Sequence, residues 1–235
     1  MLHRSFRNAM ALRRSRGRVV RVQEDDRCVA GERALVAHEL ADAYAFLGNS
    51  LLKPVNQVDK VGLFPEFWKA FPTFGDADVG ACVHRLYTYA KELPEYEQAV
   101  EQVAFEYTKL FFGPPKPQAA PWETMYGITG CSCGFGAATF EMRNLLRSHG
   151  LKLSNTNHQY EDHIGIELLV LSELCRRAEN DVDYREVRDY IKKHPLHWVG
   201  KLRLRIAEVF PCGYVVKLVD LAEALMAMQV RWYEV

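Results

Sequence analysis

The stretch Glu161-Asp162-His163-Ile164-Gly165-Ile166-Glu167 gathers three carboxylates and an imidazole within seven residues, directly before a long apolar run. If it opens a helix, His163 and Glu167 lie one turn apart on the same face, and Asp162 sits where a negative charge meets the positive end of the helix dipole. Two uses of this set are open. It can form a polar binding edge beside a hydrophobic surface, or Asp162 can cap the helix while His163 bonds to a neighbouring loop. An ion shared by Asp162, His163 and Glu167, as in a metal-dependent hydrolase, is the enzymatic alternative. The chain has neither a His-Glu-x-x-His zinc motif nor the paired Glu-x-x-His motifs of di-iron bundles. Cys131 and Cys133 are closer together than a zinc knuckle requires, and no second pair stands near them. No metal and no other cofactor is therefore expected. Walker, Rossmann and Gly-x-Ser-x-Gly motifs are likewise missing, so the sequence offers neither a phosphate cradle nor a nucleophile elbow.

A second stretch, Glu106 to Tyr126, carries four prolines and ends Pro121-Trp122-Glu123-Thr124-Met125-Tyr126. Phe105, Lys109 and Phe112 on one side, with Glu106, Leu110 and Gly113 on the other, stand at helical spacing and predict an amphipathic helix running to Phe112. Gly113 can take the left-handed conformation that ends a helix, and Pro114 and Pro115 cannot continue one. A braced loop of this length inside a domain is either functional or disordered. Trp122, Met125 and Tyr126 favour the former, and Phe105, Phe111, Phe112, Trp122 and Tyr126 are expected mainly in the core.

The rest of the pattern is helical. Apolar stripes of helical period predict helices over 32–52, 65–71, 139–149, 161–179, 184–194, 198–209 and 214–232, and another from an Asp76 or Asp78 cap to Leu93. The stops are Lys53-Pro54, Pro72, Pro94, Gly150, Pro195 and Pro211. No segment alternates with period two between hairpin turns. The expected fold is all-α, a single-domain helical bundle over residues 29–235. Residues 1–28 form an arginine-rich extension that reads as flexible, since Arg4, Arg7, Arg13, Arg14, Arg16, Arg18 and Arg21 precede the first acid at Glu24. Arg13-Arg14 is not read as an export signal, because Ser15-Arg16-Gly17-Arg18 stands where an apolar region should follow.

Thirty Lys and Arg residues balance thirty Asp and Glu, so no global field favours nucleic acid or an anionic membrane. No run approaches the roughly 18 apolar residues of a membrane span. Six cysteines without a secretory signal are expected as reduced thiols in the cytoplasm.

Taken together, the two stretches resemble the signatures of the TorD/DmsD/NarJ family of cytoplasmic chaperones for molybdenum-containing redox enzymes. Glu106-x-x-x-Leu110-Phe111-x-Gly113-Pro114 followed by Pro121-Trp122-Glu123-Thr124-x-Tyr126 is similar to the first signature, and Glu161-Asp162-His163-x-Gly165-x-Glu167-Leu168 to the second. His194 and Trp198 stand where the family has a His and a Trp. Gln159-Tyr160 replaces the usual Glu-Pro, and Thr124 a Ser. The resemblance implies an all-helical protein, not an enzyme, that binds the twin-arginine leader, and sometimes the body, of a precursor reductase subunit until its cofactor is loaded. Its contact residues would be Gly113, Pro114, Pro121, Trp122, Glu123, Tyr126, Asp162, His163 and Glu167. Glu123, Asp162 and Glu167 would then face the leader's arginines, and Trp122, Tyr126 and Phe111 its apolar segment. Such a protein would insert in no membrane and exist as a monomer or homodimer.

Overall fold

The computed structural model describes residues 21–113, 115–127, 135–153 and 158–234. Among them the regular structure is helical, and the one pairing of extended backbone is an isolated antiparallel bridge between Trp122 and His163. The helices are α1 (Arg21–Leu52), α2 (Pro65–Ala70), α3 (Ala77–Glu92), α4 (Tyr96–Tyr107), α5 (Ala137–Ser148), α6 (Ile164–Arg177), α7 (Asp181–Lys193), α8 (Pro195–Val209) and α9 (Tyr214–Trp232). The all-α expectation holds. Helix α1 begins at Arg21, inside the stretch assigned to the N-terminal extension, and residues 1–20 lie outside the described residues.

Local chemistry explains most of the boundaries. Asp76, not Asp78, caps α3: its Oδ1 accepts the N–H groups of Asp78 and Val79 at 3.0 and 3.1 Å. Asn180 caps α7 in the same way, through Val182 and Asp183. Pro65 and Pro195 stand at the first turns of α2 and α8, where a missing N–H costs nothing. Pro195 thus starts α8 rather than merely separating it from α7, and α8 is a turn longer than the spacing from Trp198 suggests. Gly150 follows α5 at φ +66°.

The centre of the molecule is α6 lying antiparallel along α1. Gly48 faces Gly165 at one end of the contact, and the Ser172 hydroxyl donates to the carbonyl of Ala41 further along it. Helix α9, buried along most of its length, packs against α3 and α8 and reaches α1 through Tyr44, whose hydroxyl donates to Gln229 Oε1 at 2.8 Å.

The helix leading into the proline loop departs from expectation. Helix α4 ends at Tyr107, and Thr108–Phe112 form a wider π turn closed by Gly113 N–H on the carbonyl of Thr108 at 2.8 Å. Gly113 has φ +55°, and a Cβ there would lie 2.0 Å from the carbonyl oxygen of Lys116. Phe105 and Phe112 point to solvent, against the core placement expected of them, while Glu106 and Phe111 point in. The reason is the start of α9. Both oxygens of the Glu106 carboxylate accept its free N–H groups, from Tyr214 at 2.9 Å and Val215 at 2.7 Å. Gly213 is what lets the carboxylate in, since a Cβ there would meet Glu106 Oε1 at 2.3 Å.

Candidate functional site

The two stretches that sequence singles out come together in space. Glu123 N–H donates to the carbonyl of Asp162, and Ile164 N–H to that of Pro121, each at 2.9 Å. These bonds flank the Trp122–His163 bridge, so the two side chains are direct cross-strand neighbours on one face. Residues 123–126 then turn as a short 3-10 segment onto α8. The Tyr126 ring stacks on Trp198 at 5.2 Å, and Lys201 Nζ donates to the Tyr126 carbonyl at 3.0 Å.

Beneath the bridge lies a buried polar cluster. Asp162, fully buried, accepts three hydrogen bonds: from Thr124 N–H at 3.0 Å, from the Thr124 hydroxyl at 2.6 Å and from the Thr139 hydroxyl at 2.9 Å. Thr139, in the first turn of α5, in turn accepts from Gly136 N–H at 3.2 Å. One carboxylate therefore ties the 123–126 turn, the start of α5 and the approach to α6. Asp162 does not cap α6. That role falls to His163, whose Nδ1 accepts Gly165 N–H at 3.0 Å. With Nδ1 used as an acceptor, the ring is neutral and carries its proton on Nε2. Burial holds its pKa down to about 3.

Glu167, one turn into α6, is also fully buried. Its Oε2 accepts the indole N–H of Trp198 at 3.0 Å, and its main-chain carbonyl accepts the Tyr190 hydroxyl at 2.9 Å. Burial first, and the neighbouring Glu123 carboxylate second, raise its pKa well above the ordinary glutamate value, which favours the protonated acid. Glu123 is held from the other side by His194, with Nδ1 3.2 Å from Oε2, and His197 Nε2 lies 3.6 Å from its other oxygen.

The proton on Glu167 gives a pH signature. In the unfolded chain a glutamate ionises near pH 4.3, whereas the folded protein keeps this proton to much higher pH. Its contribution is complete below the unfolded value and is lost as pH climbs through the raised folded value. In between, unfolding free energy falls by about 1.4 kcal/mol per pH unit relative to a chain without this group. Glu167→Gln retains an acceptor for Trp198 and removes the titration. Urea unfolding of both proteins from pH 5 to 9 should show the variant gaining on the wild type as pH rises, and parallel curves would place the proton elsewhere.

From this cluster a run of rings leads outward. Phe111 and Trp122 lie edge-on to His163 at 6.3 and 6.2 Å, Tyr160 lies 6.1 Å from Trp122, and Phe135 joins Tyr160 to Phe140 at 5.4 and 5.0 Å. Phe140 and Tyr160 are exposed, and Arg143 crosses Phe135 and Phe140 while its guanidinium grips Glu161 with two bonds of 2.7 and 3.0 Å.

Of the nine residues expected at a contact surface, Trp122 and Tyr126 reach it in part, and Gly113 is half-buried. Pro121, Glu123, Asp162, His163 and Glu167 are buried, and Pro114 lies outside the described residues, as do Cys131 and Cys133. Asp162 is enclosed by hydroxyl and amide donors, and Glu167 lies buried against the Trp198 indole. The shared-ion alternative finds no site, because among the described residues no three His, Cys, Asp or Glu side chains converge on a point that could hold a metal. Thr139 and Tyr190 belong to the cluster, and sequence does not single them out. Only Thr139 carried a local signal, as a hydroxyl one turn into a helix that starts after a glycine.

A family model described as nitrate reductase delta subunit matches residues 75–203, more than half of the chain and both signature stretches. The chain belongs to that family. The likeness to TorD, DmsD and NarJ read from the two signatures therefore holds. The chain is similar to the chaperone protein TorD of Vibrio cholerae serotype O1 (strain M66-2), 27% identical over 125 residues, which are 50% of this chain and 56% of that protein. It is also similar to the probable Tat proofreading chaperone DmsD of Haemophilus influenzae (strain ATCC 51907 / DSM 11121 / KW20 / Rd), 28% identical over 112 residues, 47% of this chain and 52% of that protein. The chain spans about half the length of the curated relatives it matches. No helix among the described residues is long and apolar enough to cross a membrane.

Proposed function

We propose that this chain is a cytoplasmic maturation chaperone that binds the twin-arginine leader, and sometimes the body, of a molybdenum-containing reductase subunit, delaying export until the cofactor is in place. The observation that carries this reading is the closure of the two signature stretches into one bridge at Trp122 and His163, from which aromatic rings run to an exposed patch at Tyr160 and Phe140. The names of the relatives, a TorD chaperone and a Tat proofreading chaperone, support it. The buried carboxylates act as positioning groups. Asp162, Glu123 and Glu167 fix the 121–126 segment against α5, α6 and α8, while the apolar stretch of the leader lies on the rings.

The test is a fluorescence-anisotropy titration of a labelled twin-arginine leader peptide against the full chain. Phe140→Asp and Tyr160→Ala should each weaken binding by about tenfold or more, as expected of aromatic anchors at an interface, and change the melting temperature little because both rings are exposed. Wild-type affinity in both variants would move the leader to another face of the molecule.

A further inference from the structure

The two residues of the bridge each carry a buried hydrogen-bond donor without a partner. The indole Nε1–H of Trp122 and Nε2–H of His163 are both shielded from solvent and have no acceptor. Their residues are paired across the same bridge, and their rings are 6.2 Å apart. Neither group can serve as an acceptor. Indole nitrogen only donates, and His163 has already spent its one lone pair on Gly165 N–H. A buried donor left unpaired costs about 1–3 kcal/mol, and the native state carries two of them on paired residues.

We infer that the Trp122–His163 pair is a subsite for a neutral carbonyl oxygen, a main-chain carbonyl of the bound segment, held by the two ring N–H groups. The inference rests on the proposed peptide-binding role and adds the chemistry of one contact within it. A cation is excluded, because the pair offers two donors and no acceptor. A carboxylate is disfavoured, since the walls are Phe111, Trp122 and Tyr160, His163 is neutral, and the guanidinium of Arg143 is already bound to Glu161. An ion would lose its hydration there with no counter-charge to replace it. A peptide carbonyl needs only the donors. Tyr160, 40% exposed, lies with its ring 6.1 Å from that of Trp122 and links the pair to the exposed patch.

The donors can be observed directly by proton–nitrogen NMR of the full-length, 15N-labelled chain. The Trp122 indole signal is assigned by its loss in Trp122→Phe. The indoles of Trp68 and Trp198, already bonded to Gly62 O and Glu167 Oε2, serve as internal controls. N-methylacetamide should move the Trp122 signal downfield saturably, methylguanidinium at equal ionic strength should not, and neither should shift the controls. The leader peptide should move the same signal, and Trp122→Phe should bind it about tenfold more weakly with an unchanged or higher melting temperature, because a costly orphan donor has been removed. A Trp122 signal unmoved by the amide, or moved by acetate alone, overturns the subsite, as does wild-type leader affinity in Trp122→Phe. An amide response in a protein that binds no leader would uphold the subsite and sink the leader-binding role.

Discussion

Asp162→Ala is expected to lower the unfolding free energy by about 3 kcal/mol. The loss is not that of one contact. The carboxylate receives the Thr124 N–H, the Thr124 hydroxyl and the Thr139 hydroxyl, all within a region closed to water. Removing it strands three donors, each at about 1 kcal/mol or more. Chemical denaturation measures the total. Its origin is separated by Thr124→Val and Thr139→Val, which each remove a hydroxyl donor along with its bond and should cost less than the loss of the acceptor. In combination with Asp162→Ala each should cost little more, since the partner is already gone. Because the same carboxylate joins the 123–126 turn to the start of α5, hydrogen exchange at Thr124 and Met125 should quicken in Asp162→Ala well beyond the change at α9. Equal loss of protection throughout would mean that Asp162 stabilises the fold without positioning the turn.

How much of this was legible beforehand depended on whether the cause was local. The stop at Lys53-Pro54, Pro65 at the head of α2 and Gly150 after α5 are decided by neighbours a few residues away, and sequence places them correctly, while it narrows the α3 cap to Asp76 or Asp78. Phe105 and Glu106 are the contrary case. Hydropathy sends phenylalanine inward and glutamate outward, yet the structure does the reverse, because the N–H groups that reward burying Glu106 belong to Tyr214 and Val215, 108 and 109 residues further on. The second signature shows the same limit. Its position at the head of α6 was legible, but Asp162 and His163 exchange the roles that cap preference gives them, since the donors awaiting Asp162 stand on Thr124 and Thr139. Motif matching recognised that these residues belong together. It does not show that Asp162 and Glu167 face inward, because the donors that hold them stand on Thr124, Thr139 and Trp198.

The crossing of α1 and α6 yields the prediction with the largest structural reach. A Cβ on Gly165 would stand 2.7 Å from the Gly48 carbonyl oxygen and 2.8 Å from Leu52 N, and a Cβ on Gly48 would stand 2.8 Å from the Gly165 carbonyl oxygen and 3.1 Å from Leu169 N. These obstacles are backbone atoms, which cannot swing aside as a side chain does. In an exposed helix, alanine for glycine would gain roughly 0.5–1 kcal/mol. Here each of Gly48→Ala and Gly165→Ala is expected to cost about 3 kcal/mol, the upper end for overpacking, because the methyl group must push two helices apart. The double variant should cost clearly less than the sum of the two, since helices parted by one methyl already have room for the other. Denaturant midpoints of the four proteins decide this, and strict additivity would mean that each glycine is needed for its own surroundings and not for the shared approach. The Gly165 variant carries a second consequence. Gly165 follows His163 by two residues and supplies the N–H that fixes its ring, so displacing α6 also displaces the bridge to Trp122. Leader affinity should therefore fall further in Gly165→Ala than in Gly48→Ala at equal loss of stability, because closeness of the helices and registration of the site depend on the same turn of α6.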